Sequence, residues 1–263
     1  MDTAAEDTSL SGPRIDPLLA DRVTEALLLA GLPVGYGGHG PGVRLRPARP
    51  HDDSDDCAKL IALHWEPGPR LAAAAAMEEP GQPAAAARRV VTAGMQNALA
   101  EFLPAFGIEV VAGRLDGETR VGGAGGPAPA TGPAASAPAG SRPQDLGIDA
   151  DVVDAVRRTA ALAGLPVADH LHAPGITLAP CRPVDDGDDT TGVADLRWNP
   201  SRRLAAAPAE QAARARTAVQ DAMRHAFGAV LGACGLDLRW RRPAALPYQL
   251  RAFGLVERPP VRR

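Results

Sequence analysis

Two acidic runs, Asp52-Asp53-Ser54-Asp55-Asp56 and Asp185-Asp186-Gly187-Asp188-Asp189, are the densest clusters of possible metal ligands in the chain. Each contains a DDxxD string, a spacing able to hold a magnesium-bound diphosphate when the carboxylates share one helical face inside a large apolar cavity. Here the runs sit between two predicted strands, bounded by Pro50 and Pro183, in domains too small for such a cavity. A calcium loop of the EF-hand type is excluded as well, because no Glu stands at its twelfth position. Asp52, Asp53, Asp55, Asp56, Asp185, Asp186, Asp188 and Asp189 are therefore either weak ligands for a divalent cation or a solvated turn whose like charges discourage edge pairing.

A second constellation combines an imidazole, an indole and a guanidinium. His39, Trp65 and Arg70 recur as His172, Trp198 and Arg203. An antiparallel hairpin brings the end of its second strand towards the start of its first, so each set converges. An aromatic face with a histidine and an arginine can hold an anionic or planar ligand, or a partner's carboxylate. The competing reading makes the tryptophans core residues, since Trp65 alternates in phase with Ile61 and Leu63, and makes Arg70 a simple cap on the strand exit. The stretch Gly35-Tyr36-Gly37-Gly38-His39-Gly40 is not a phosphate loop. It runs helix, glycines, strand, the reverse of the order that points helix amides at an anion.

These residues recur because the chain contains itself twice. A shift of 133 lays Ala30-Gly31-Leu32-Pro33-Val34 on Ala163-Gly164-Leu165-Pro166-Val167, and Trp65, Pro67 and Arg70-Leu71 on Trp198, Pro200 and Arg203-Leu204. The match resumes at a shift of 128, with Met95 on Met223 and Gly107 on Gly235. A period this long exceeds any solenoid repeat and fits two copies of one small domain.

Each copy can be read against the other. Asp16 with Pro17 starts a helix whose apolar stripe is Leu19, Val23, Leu27 and Ala30, repeated as Val152, Val156, Ala160 and Ala163. Gly31 and Gly164 stop it. A strand carries Val43 and Leu45 (Ile176 and Leu178). A second strand alternates Ile61, Leu63 and Trp65 (Ala194, Leu196 and Trp198). A long helix carries Val91, Met95, Ala98 and Phe102 (Val219, Met223, Ala226 and Val230), and a last strand holds Ile108 and Val110, or Leu236, Leu238 and Trp240.

The expected fold is α+β, two tandem α-β-β-α-β two-layer sandwiches related by a pseudo-twofold axis. The expected boundaries are a disordered tail over 1–14, copy one over 15–121, a Gly/Ala/Pro-rich linker over 122–144, copy two over 145–243 and an irregular Pro/Arg-rich tail over 244–263. So small a sheet leaves edges open, and pairing of the two halves within the chain is the expected cover.

Composition narrows the function. The formal net charge is -3, and Lys59 is the only lysine, so bulk affinity for nucleic acid or membrane is not expected. The three cysteines, Cys57, Cys181 and Cys234, share no position between copies and form no CxxC. That argues against a disulfide framework and for a reducing cytoplasm. The acidic N-terminus has no signal-peptide pattern. Neither copy contains a Ser-His-Asp set, an activated Cys or paired carboxylates that the other shares, and no cofactor is expected.

The GLPV helix end, the PG strand start, the LxW strand followed by Pro and Arg-Leu, and the Met-bearing helix before a GI or GL strand resemble small hypothetical proteins of high-GC actinobacteria. The resemblance covers roughly 15–112 and 148–240 and implies a cytoplasmic bacterial protein without assigning an activity. The leading reading is a non-enzymatic binding or protein-interaction module, with an unidentified protein or small ligand as partner. Alternatives are a small-molecule or metal-dependent enzyme with its site between the copies, and a nucleic-acid-associated protein using the Arg-rich tail.

Overall fold

The computed structural model describes residues 15–35, 40–48, 60–79, 82–111, 118–124, 147–170, 173–181, 192–205, 210–241 and 249–256. The N-terminal half opens with helix α1 (Pro17–Leu29), started by the Asp16 carboxylate, which accepts from the Leu18 N–H at 2.9 Å, and by Pro17 at the first helical position. Gly31 follows at φ 83°, a left-handed conformation that glycine adopts without strain. Strands β1 (Gly42–Pro47) and β2 (Ile61–Glu66) pair antiparallel, with Val43 opposite Trp65 and Leu45 opposite Leu63. Helices α2 (Pro69–Met77) and α3 (Pro83–Phe102) come next, then a 3-10 turn at Leu103–Phe106. Strands β3 (Ile108–Val111) and β4 (Glu118–Ala124) close the half.

The C-terminal half repeats the order. Helix α4 (Ala150–Ala163) is capped by Asp149 and ended by Gly164 at φ 80°. Strands β5 (Gly175–Pro180) and β6 (Ala194–Asn199) follow, then the single turn α5 (Arg202–Ala205), helix α6 (Glu210–Ala233), and strands β7 (Leu236–Arg241) and β8 (Gln249–Leu255).

The architecture is α+β, with two four-stranded antiparallel sheets ordered β1-β2-β4-β3 and β5-β6-β8-β7. This corrects the expected three strands per half. The fourth strand enters the middle of each sheet, between the second strand and the third. β4 (ETRVGGA) runs past 121 into the stretch read as linker, and β8 (QLRAFGL) lies in the stretch read as an irregular tail. Both escaped because their glycines weaken strand propensity and because they fall in stretches rich in Gly, Pro and Arg. Packing overrides that. A Cβ on Gly122 would lie 2.8 Å from a Leu60 methyl and 3.0 Å from a Val111 methyl, so a larger residue there would have to push those side chains aside. Arg251 of β8 is 1 % exposed, a burial that a reading of charge patterns does not anticipate.

The predicted helical stripes are buried, including Val23, Leu27, Val91, Met95, Phe102, Val219, Met223 and Val230, but the strand stripes are buried less completely: Leu45, Val110 and Leu238 are partly buried and Trp240 is 44 % exposed. They form one continuous apolar core that takes residues from both halves, and α3 packs along α6 at its centre. The sheet edges are covered differently from expectation. Val34 bridges Val43 in parallel, and Val167 bridges Ile176 in the same way, so each half shields the outer edge of its own first strand. The two halves meet through their helices and strand exits.

Candidate functional site

The convergent geometry lies where β2 and β6 leave their sheets. Trp65 is fully buried, and its indole N–H donates to the carbonyl of Ala163 at 2.9 Å. Trp198 is 3 % exposed, and its indole N–H donates to the carbonyl of Ala30 at 2.7 Å. Each acceptor sits at the C-terminal end of a helix in the opposite half, where the last carbonyls lack intrahelical partners. Two backbone bonds flank these. Gly68 donates from its N–H to Leu162 at 2.9 Å, and Ser201 donates to Leu29 at 2.8 Å. Donors and acceptors in both sets are displaced by the 133-residue period of the sequence.

Close approach of the two backbones explains the residues at the helix ends. A Cβ on Gly31 would meet the Asn199 carbonyl at 3.1 Å and Pro174 at 3.2 Å. On Gly164 it would meet Pro41 at 2.7 Å and the Glu66 carbonyl at 3.1 Å. The GLPV turn and the PG strand start therefore interlock across the molecule. The two sides are not identical. A Cβ on Gly68 would lie 1.9 Å from the Ala161 carbonyl, whereas its counterpart is Ser201, whose hydroxyl accepts from the Arg203 N–H at 3.3 Å.

Burial leaves neither tryptophan with a ring face for a small ligand, and it fits the core reading of these side chains. Arg203 pairs with Glu25 of α1 at 3.2 Å, a half-exposed ion pair between halves. Arg70 stands exposed at the start of α2. Residue 158, which corresponds to Glu25, is an arginine, so the ion pair is made on one side only. His39, His172 and the eight aspartates of the two acidic runs lie outside the described residues. Among the described residues, no group of three or more His, Cys, Asp or Glu is placed to hold a metal.

Two buried polar clusters were not anticipated from the sequence. In the N-terminal half Gln96 of α3 donates to the Leu63 carbonyl at 3.1 Å and accepts from the Thr119 hydroxyl, tying the helix to β2 and β4. In the C-terminal half Asp195 and Arg251 face each other on adjacent strands, 2 % and 1 % exposed, with Nε to Oδ1 at 3.6 Å. Cys181 donates from its thiol to the same Oδ1 at 3.2 Å. Asp195 and Arg251 alternate out of phase with Ala194, Leu196, Leu250 and Ala252, so their burial on the opposite face of the sheet carries no sequence signal, and their pairing needs the missed fourth strand to be visible. Cys234 lies in an apolar setting, and desolvation by burial raises its thiol pKa to about 11, so it stays protonated near neutral pH.

No protein-family model, curated protein or solved structure matches the chain. Among the described residues no helix is long and apolar enough to cross a membrane.

Proposed function

We propose that the chain is a non-enzymatic protein-interaction module of the bacterial cytoplasm, built as a covalent pseudo-dimer from two copies of one α+β domain. The observation that supports this reading is the reciprocity of the seam. Trp65 to Ala163 and Trp198 to Ala30, with Gly68 to Leu162 and Ser201 to Leu29, are the bonds that two subunits exchange across an isologous contact, where each patch meets its own equivalent. The residues that recur in sequence are spent on this seam: the tryptophans on hydrogen bonds, the helix-end glycines on close approach. Among the recurring residues, Trp65, Trp198, Gly31 and Gly164 thus serve the contact between the halves.

The test is to insert a specific protease site between residues 125 and 146, cut the purified chain, and measure its mass in solution by sedimentation. The halves should stay together after cleavage and separate only when Trp65 and Trp198 are both replaced by alanine. Halves that part on cleavage of the otherwise unaltered protein would overturn the pseudo-dimer. Affinity purification from the native cell, read by mass spectrometry, tests the interaction role separately.

A further inference from the structure

We propose that the seam sorts the halves, admitting the N-terminal half against the C-terminal half and excluding a second copy of the C-terminal half. The proposal rests on the pseudo-dimer reading and adds which partner the contact surface accepts. Subunits of a homodimer present identical residues to each other, so differences at equivalent positions of the two halves decide which pairs fit.

The first difference is at the strand exits. Gly68 and Ser201 are equivalent at the 133-residue period, and each directly precedes a helix, α2 or α5. Serine is the better cap at such a position, because its hydroxyl accepts a free amide, as Ser201 does from the Arg203 N–H at 3.3 Å. Gly68 forgoes that bond at φ -56°, a conformation open to any residue, so local structure does not require glycine. The opposite half does. A Cβ on Gly68 would stand 1.9 Å from the Ala161 carbonyl oxygen near the end of α4. The end of α1 already accommodates Ser201, which donates from its backbone N–H to Leu29 at 2.8 Å. A second C-terminal half would bring serine to the end of α4 on both sides of the contact.

The second difference lies where α3 packs along α6. A Cβ on Gly94 of α3 would approach a Val230 methyl of α6 to 3.0 Å, closer than carbon atoms rest in contact. At the shift of 128 the residue equivalent to Gly94 is Ala222, and the residue equivalent to Val230 is Phe102. Two C-terminal halves would set Ala222 against Val230, a methyl in a space that has to be widened to take it. The ion pair between Glu25 and Arg203 does not sort. Its equivalents Arg70 and Arg203 are both cationic, so exchanging partners between two pseudo-dimers trades equal attractions and repulsions. A clash at α4 has no matching gain at α1. Two chains joined through their N-terminal halves would leave two C-terminal halves without a mate, so each chain closes on itself.

In the full chain, Gly68→Ser recreates the excluded contact. It should lower the urea midpoint by about 1 M, although serine is the better cap, whereas Ser201→Gly should leave the midpoint near the parent's. A Gly68→Ser midpoint equal to or above the parent's would overturn the proposal. The second measurement uses the chain cut between residues 125 and 146, unfolded in urea, refolded by dilution and weighed by native mass spectrometry, which separates the possible pairs by mass. Only unlike pairs should form. The cut double variant Ser201→Gly/Ala222→Gly should form pairs of C-terminal halves roughly tenfold more often or beyond. Like and unlike pairs in statistical proportion from the parent, or no gain in the double variant, would each overturn sorting and leave the pseudo-dimer standing. Halves that do not pair at all would overturn the pseudo-dimer itself, and sorting with it.

Discussion

Replacing Trp65 and Trp198 by phenylalanine, singly and together, probes the seam at its two reciprocal hydrogen bonds. Each indole N–H is buried and bonded at 2.9 Å or 2.7 Å to a helix-end carbonyl. Phenylalanine keeps most of the ring and removes the donor. An acceptor left buried without its donor costs about 1–3 kcal/mol, and the vacated ring volume adds roughly 1 kcal/mol by the usual cavity cost. Each substitution should therefore destabilise by about 2–4 kcal/mol, a large share of the roughly 5–15 kcal/mol that holds a typical folded chain together. Urea unfolding followed by far-UV circular dichroism reads this directly. With a slope of roughly 2–3 kcal/mol per molar, the midpoint should fall by about 1 M for either variant and further for both. Trp240→Phe is the control, since that ring is 44 % exposed, and it should cost about 1 kcal/mol or less. Midpoints for Trp65→Phe and Trp198→Phe that match the parent would refute the reasoning, because they would show that the Ala163 and Ala30 carbonyls reach water and that the seam is not closed around them.

Gly68→Ala should be strongly destabilising, by roughly 3 kcal/mol or more, since its Cβ would stand 1.9 Å from a backbone oxygen that cannot rotate away, whereas Ser201→Gly should change the thermal midpoint little. Arg158→Glu places an acid where Glu25 stands in the other half, opposite the exposed Arg70. It should stabilise by up to about 1 kcal/mol at low ionic strength, and the gain should vanish in concentrated salt; a loss of stability on differential scanning calorimetry would argue against the correspondence. Cys234, with its thiol pKa raised to about 11 by burial, should resist iodoacetamide at mildly alkaline pH while the chain is folded and react on unfolding, as peptide mass spectrometry would show. The sign for stability follows from the same shift. The folded state keeps its proton above the ordinary thiol value of 9.0, so this contribution is present below that pH and is lost as pH rises towards 11.

The sequence by itself determined the elements whose periodicity is regular and whose ends are punctuated. Asp16-Pro17 and Asp149 start their helices, Gly31 and Gly164 stop them, and the alternation of Ile61, Leu63 and Trp65 marks a strand with one buried face. These are local properties, readable because caps, turns and amphipathic faces are each decided within a few residues. The repeat also singled out Trp65 and Trp198 as residues of consequence. What they do was decided only by tertiary structure, because each acceptor lies roughly a hundred residues or more away along the chain and belongs to the other half. The fourth strand of each sheet depended on context in the same way. ETRVGGA and QLRAFGL are interrupted by glycine, and they become central strands because β2 and β6 present unpaired edges, with Thr119, Val121, Leu250 and Ala252 turned inward to be buried. The burial of Asp195 and Arg251 followed from that placement, since neighbouring strands set the two charges opposite one another. Local chemistry named the parts, and long-range packing chose their partners, because a hydrogen-bond acceptor or a vacant sheet edge is not written beside the residue that needs it.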